Sequence, residues 1–381
     1  MDRLRRHIKR RPNVDWHAGQ IADPVSRLRF LRERATVTDT SIPRQRSLAR
    51  YLVPPVLLAV GLVFLLLHSP SRATVNAIVV HPAWHAFPEH HDRVPEVWLV
   101  ESSGGLETYS NGLRIDDRFQ VSNRPRSYLV FPAGGGAGVA GREPVGIVFH
   151  TTESPSAPFE AEQNRTLRRI GESLLEYVKR QRAYNFVIDR FGRVYRVVPE
   201  GDVANHAGYS VWADDQWLYI NLNQSFLGIS FEADTEPGQE QSRISEGQAR
   251  SAAMLTEMLR SRYKIRAVNC VTHGQVSVNP SNMQAGYHTD WASGFPFHSL
   301  GLADNYARPL PALWAFGFET DAAFYRNGGI RLAASAKMAE DLLAHDARLA
   351  GVSPQAYRKA LQKQYRERLS EVRHAGSEDA E

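Results

Sequence analysis

Short apolar runs alternate with helix-length amphipathic stretches through the middle of the chain. Val145-Gly-Ile-Val-Phe-His150 is apolar up to its last residue, the pattern of a strand buried on both faces. Ala267-Val-Asn-Cys-Val-Thr-His273 repeats it, and Leu227-Gly-Ile-Ser-Phe-Glu232 is a third run of this kind. Asn185–Asp189 and Arg193–Val198, joined by a turn containing Gly192, predict a hairpin. Between these runs, Phe159–Arg182 predicts a helix with Leu167, Ile170, Leu174 and Val178 on one face. Ser245 and Gln248 have capping-box spacing for a second helix, with Ala252, Leu255 and Leu259 facing inward. Val97-Trp-Leu-Val and Ser127-Tyr-Leu-Val-Phe read as further short strands. Ala133-Gly-Gly-Gly-Ala-Gly reads as a surface loop, because neither a GK[ST] motif nor a helix start follows it. Residues 320–373 read as helical, with Ser353-Pro354 as an N-cap and first-turn pair, and the last dozen residues as a charged, frayed tail. The whole predicts an α/β fold, a mixed central β-sheet flanked by helices.

One stretch departs from this alternation. Leu52–Leu67 carries no charge and no amphipathic stripe, and it is close to the ~20 residues that span a bilayer. Residues 51–68 are therefore expected to form one transmembrane helix ahead of the folded body. Charge supports this. Residues 1–50 hold 13 Lys/Arg against 5 Asp/Glu, while the remainder holds 33 against 36. The positive-inside rule then leaves the Arg-rich arm 1–50 in the cytoplasm and the body from about residue 70 on the periplasmic, extracytoplasmic side of the inner membrane. A cleaved signal peptide is the rival reading, but its charged region would be unusually long and no A-x-A site follows. The body has no basic excess, which argues against nucleic acid as a partner. The single cysteine, Cys270, rules out a disulfide within the chain and sits in an apolar run as a small core residue. The expected organisation is an arm 1–50, an anchor 51–68, a linker 69–95, a folded domain 96–318 and a helical extension 319–381. The arm and the last helices are candidate contacts for envelope proteins.

The candidate chemistry sits at the ends of the apolar runs. His150 and His273 each close one, and Asp290 follows in Gly286-Tyr-His-Thr-Asp290. Two imidazoles and a carboxylate, with a fourth position left open, make the ligand pattern of a catalytic zinc site. His288 is the alternative third ligand. His85, His90 and His91 read as a solvated linker rather than a metal cluster.

Six motifs in order resemble the type-2 N-acetylmuramoyl-L-alanine amidase and peptidoglycan recognition protein superfamily. They are Ile147-Val-Phe-His150-Thr-Thr, Tyr184-Asn-Phe-Val-Ile-Asp-Arg-Phe-Gly-Arg-Val-Tyr, Val203-Ala-Asn-His206-Ala-Gly, Leu227-Gly-Ile-Ser-Phe-Glu, Val271-Thr-His273-Gly and His288-Thr-Asp290. The resemblance covers roughly residues 140–300. Three features depart from the family pattern. His273 and Asp290 are unusually far apart, with Val278-Asn-Pro-Ser-Asn-Met-Gln reading as an insertion. Trp291-Ala-Ser-Gly stands where Pro-Gly is usual, and His288 where Lys is frequent.

The resemblance implies a zinc amidase domain within 96–318, preceded by an N-terminal extension. It implies Zn2+ held by His150, His273 and Asp290, and peptidoglycan or muropeptides as substrate, cleaved between N-acetylmuramic acid and L-alanine. The family's proton carrier is either a strand Glu or a hairpin Tyr. Ser230 occupies the usual Glu position here, so Tyr184 is the first candidate and Glu232 the second. His288 is the candidate oxyanion partner, and His206 and Asn185 are candidate substrate contacts. A membrane-anchored muropeptide receptor that binds without cleaving is the alternative reading.

Overall fold

The computed structural model describes residues 93–154, 157–236, 238 and 244–378. The arm 1–50, the expected anchor 51–68 and nearly all of the linker 69–95 lie outside the described residues. Among the described residues no helix is long and apolar enough to cross a membrane.

The strands in chain order are β1 (Leu99–Ser103), β2 (Leu106–Tyr109), β3 (Arg114–Asp116), β4 (Tyr128–Pro132), β5 (Val139–Gly141), β6 (Gly146–Thr151), β7 (Phe186–Ile188), β8 (Val194–Arg196), β9 (Val211–Ala213), β10 (Trp217–Ile220), β11 (Phe226–Phe231), β12 (Cys270–Thr272), β13 (Val278–Asn279) and β14 (Gln284–Ala285). The helices are α1 (Asn164–Gln181), α2 (Leu222–Ser225), α3 (Glu246–Tyr263), α4 (His273–Val276), α5 (Pro311–Trp314), α6 (Ala322–Asn327), α7 (Gly329–Leu349) and α8 (Pro354–Glu378). The main sheet has the order β1-β2-β3-β8-β7-β11-β6-β12, and β5-β4-β10-β9 form a second sheet. β11 runs parallel to both β6 and β7, and β12 runs parallel to β6. β7 and β8 are the expected antiparallel hairpin. The expected mixed α/β sheet is therefore present.

Alternation along the central strands sorts their side chains. Ile147, Phe149, Ile229 and Phe231 pack into one core with Ala252, Leu255, Met258 and Leu259 of α3. The predicted capping box starts this helix: Ser245 Oγ accepts the Gln248 N–H at 3.1 Å, and Gln248 Oε1 accepts the Ser245 N–H at 3.0 Å. Val148 and His150 alternate with those residues and so face the other way. On that second face, Leu175 and Val178 of α1 cover Val187, Tyr195 and Val197. The buried stripe of α1 is Leu167, Gly171, Leu175 and Val178. The expected Ile170 and Leu174 lie half-buried beside it.

The segment 97–132 is integral to the fold. β3 joins β8 in the main sheet, and β4 joins β10 in the second. Arg196 on β8 binds Glu107 on β2 at 2.9 Å and Glu200 at 3.0 Å, and those carboxylates hold its charge in spite of burial. The C-terminal helices are equally integral. Leu332, Ala336, Ala339, Tyr365, Leu369 and Val372 belong to the same core as the sheet. Residues 370–378 of the expected frayed tail are helical, because α8 continues to Glu378, and residues 379–381 lie outside the described residues.

Candidate active site

Parallel register gathers the site at one end of the sheet. Ser230 on β11 pairs with His150 on β6, so their side chains share a face. On the other side of β6, Thr272 pairs with Phe149, and His273 follows one residue later. The expected strand ending at His273 is shorter than its apolar run. A 3₁₀ turn occupies Ala267–Asn269, and His273 is the first residue of α4. Thr272 and Gln275 form the capping box that opens α4.

The long interval between His273 and Asp290 is taken up by the small hairpin β13–β14. The chain then returns: Gly286 N–H donates to Ser277 O at 2.7 Å, and Gly274 N–H donates to Asp290 O at 2.9 Å. The carboxylate is thereby brought back to the histidines. Asp290 Oδ1 lies 2.8 Å from His273 Nδ1, and Oδ2 lies 3.2 Å from His150 Nδ1. All three residues are buried. Burial would raise the Asp290 carboxyl pKa, but the charge of His273 and the two imidazoles set against it hold it well below the usual carboxylate range.

One ligand atom from each of His150, His273 and Asp290 lies within 4.8 Å of the others. Zinc bonds of ~2.0–2.1 Å place neighbouring tetrahedral ligands about 3.3 Å apart. The imidazole–carboxylate separations of 2.8 and 3.2 Å run to different Asp290 oxygens, and with all three ligand atoms inside 4.8 Å, two imidazoles and a carboxylate make a donor set suited to a single zinc ion. His273 Nε2 is enclosed without a hydrogen-bond partner. Asp290 therefore holds the ring on one side only.

The other expected residues divide into those at the cluster and those elsewhere. Tyr184 is at it, with its ring centroid 5.2 Å from that of His150. It adopts φ 59°, a left-handed conformation that costs a bulky side chain energy and is concentrated at functional sites. His288 is not among the three clustered residues. Its ring stacks on His273 at 4.5 Å, beside a candidate ligand rather than in its place. His206, a candidate substrate contact, is half-buried, and its Nδ1 lies 3.1 Å from His150 Nε2. Burial, followed by the charges of His150 and Arg126, pushes its pKa well below the usual imidazole value.

Two expected residues lie away from the cluster. Asn185 is fully enclosed. Its amide donates to the carbonyls of Val198 and Pro199 at 3.2 and 3.1 Å, and its oxygen accepts the Gly228 N–H at 3.0 Å. It braces strands and has no surface to offer a substrate. Glu232 lies past the end of β11, where it accepts the Arg190 N–H at 3.1 Å and packs against Gly171 of α1. Desolvation raises its pKa to about 7, and the charges acting on it come from Asp189, Arg190 and Arg193 rather than from the histidines. Ser230, not Glu232, is the β11 side chain beside His150, and its hydroxyl is enclosed without a partner.

Residues 140–291 match the family model Amidase_2, N-acetylmuramoyl-L-alanine amidase. The matched segment contains every residue of the cluster. No curated protein matches the chain closely enough to count as a relative. Solved structures similar to it include the N-acetylmuramoyl-L-alanine amidase LysC from Clostridium intestinale, at 20% identity and a TM-score of 0.27, covering 49% of this chain and 93% of that one. Another is the E. coli N-acetylmuramyl-L-alanine amidase AmiD in complex with anhydro-N-acetylmuramic acid-L-Ala-D-gamma-Glu-L-Lys, at 21% identity and a TM-score of 0.30, covering 51% and 64%. Drosophila peptidoglycan recognition protein SD is similar at 16% identity and a TM-score of 0.28, covering 43% and 85%.

Proposed function

We propose that this protein is a zinc-dependent amidase that hydrolyses the bond between N-acetylmuramic acid and L-alanine in peptidoglycan. The observation that carries the reading is the convergence of His150, His273 and Asp290, which are distant in sequence, on one buried point. It is supported by the Amidase_2 match over the same residues.

His150, His273 and Asp290 would hold the ion. Zinc bound there supplies a Lewis acid for the scissile carbonyl and acidifies water toward neutrality. The remaining work falls to the chain. Tyr184, packed against His150, is the proton carrier: as the phenolate it takes the proton of the attacking water, and the phenol so formed returns it to the leaving amine of L-alanine. Ser230 cannot fill this role, because an alkyl hydroxyl is a far weaker acid than a phenol and does not supply an oxyanion base. His288, stacked on His273, donates to the carbonyl oxygen as negative charge develops. The burial of the cluster keeps bulk water from screening these interactions.

The sequence further supports an inner-membrane anchor at 51–68 that would hold this domain on the periplasmic side, facing the wall. A receptor that binds muropeptides without cleaving them is the competing reading, and one experiment separates the two. Bound zinc is measured in the purified protein, which is then incubated with purified peptidoglycan. Amidase activity frees new L-alanine amino groups. Zinc-loaded protein that binds the polymer and frees none would establish the receptor instead.

A further inference from the structure

We propose that His206 is a positioning residue that fixes the tautomer of His150, so that Nδ1 presents a lone pair toward Asp290. This inference rests on the metal-centre reading above. It follows from the hydrogen-bond chain Phe226–His206–His150, whose direction is set at one end.

That end is a backbone carbonyl. Phe226 O lies 3.2 Å from His206 Nε2. A carbonyl oxygen only accepts, so Nε2 carries the hydrogen. The same oxygen also accepts from Arg126 Nη1 at 3.1 Å. With its Nε2 hydrogen on that carbonyl, His206 presents Nδ1 to His150 Nε2, 3.1 Å away. On the metal-centre reading His150 binds the ion through Nδ1, which faces Asp290 Oδ2 at 3.2 Å, so its Nε2 carries the hydrogen and His206 Nδ1 accepts it. Inverting the chain would set a bare Nε2 against the Phe226 carbonyl.

The surroundings hold the His206 ring in place for this. Asn223 Oδ1 accepts three successive backbone N–H groups, from His206, Ala207 and Gly208, at 2.9, 2.6 and 3.0 Å. From below, the ring lies on Gly228 of β11, where an added Cβ would come within 2.6 Å of His206 Cγ. Arg126, nearly devoid of solvent contact, also donates to Glu200 O at 3.1 Å and Asp202 O at 3.0 Å, which anchors the cation that shares Phe226 O. Partners of metal-bound imidazoles contribute about 10–100-fold in metal affinity by this orienting effect.

Two measurements on the full chain test the proposal. Long-range ¹H–¹⁵N correlation of histidine-labelled protein reads the tautomers directly. The expected result is hydrogen on Nε2 of both His206 and His150, and hydrogen on His206 Nδ1 would overturn the assignment. Zinc affinity by chelator competition then compares variants. His206→Leu is expected to weaken zinc about 10–100-fold. His206→Asn, which keeps an oxygen acceptor near the Nδ1 position, is expected to restore most of the loss. Unchanged affinity in His206→Leu, or equal losses in both variants, would overturn the proposal. If the leucine variant fails to fold, the tautomer measurement on unaltered protein still decides. Protein that binds zinc with these tautomers but cleaves nothing removes the amidase reading alone, whereas protein that takes up no divalent ion removes both.

Discussion

Gly274 and Ala292 touch where a side chain would otherwise be: a Cβ on Gly274 would lie 2.4 Å from the Ala292 Cα. Gly274 follows one candidate ligand, and Ala292 comes two residues after another. Their close approach is how the backbone closes the cluster, together with the Gly274 N–H bond to Asp290 O. Gly274→Ala is expected to push the Asp290 loop outward and weaken zinc binding by at least tenfold. Chelator competition on the folded variant measures this, and wild-type affinity would show that the loop yields without consequence.

Removing a ligand is the more direct perturbation. His150→Ala is expected to abolish both bound zinc and the release of L-alanine amino groups. A metal-free variant with full activity would contradict the centre.

Tyr184→Phe deletes one hydroxyl and leaves the packing against His150. With Tyr184 as proton carrier, kcat falls about 10²–10⁴-fold. Zinc content stays at the wild-type level. Metal analysis and steady-state kinetics on the same sample separate this outcome from simple loss of the ion.

Glu232 gives a pH dependence of known sign. Its pKa rises from 4.5 to about 7 because burial disfavours the carboxylate. Between those values the folded protein holds more proton than the unfolded chain, so stability falls as pH rises through the window. The accumulated loss above pH 7 is on the order of 3 kcal/mol. Glu232→Gln is expected to flatten this part of the profile and raise Tm at pH 8. Parallel denaturation curves of variant and wild type from pH 4.5 to 8 check it.

Asn185→Leu tests the bracing hydrogen bonds of that residue. The substitution strands the Gly228 N–H and two carbonyls in the interior, and each such group costs about 1–3 kcal/mol. A lower Tm with unchanged KM is expected. A shifted KM at full stability would return Asn185 to the substrate.

The cluster was legible in the sequence because each of its histidines closes a run apolar enough to be buried. What was not legible depends on pairing between distant segments. Asn185 looks polar and available in isolation, yet it is consumed by Gly228 and the Val198 and Pro199 carbonyls once β7 meets β11. Glu232 and Ser230 alternate along one strand, and only the register against His150 shows that Ser230 is the neighbour. Alternation places both on one face, but the distance along the strand separates them. The helical turn at His273 was hidden because an apolar run looks the same whether its last residues continue as strand or turn.

The Amidase_2 match begins at residue 140, but Arg126 and the strands β1–β4 precede it. A fragment cut to the family boundary would leave β8 as a raw edge with unsatisfied backbone groups, prone to self-association. It would also strip the guanidinium from the oxygen beneath His206. The smallest excisable piece that keeps the cluster intact therefore starts no later than Val97, whose N–H donates to Ser261 Oγ at 2.9 Å. For this chain, family limits underestimate the unit that has to be made in order to study it.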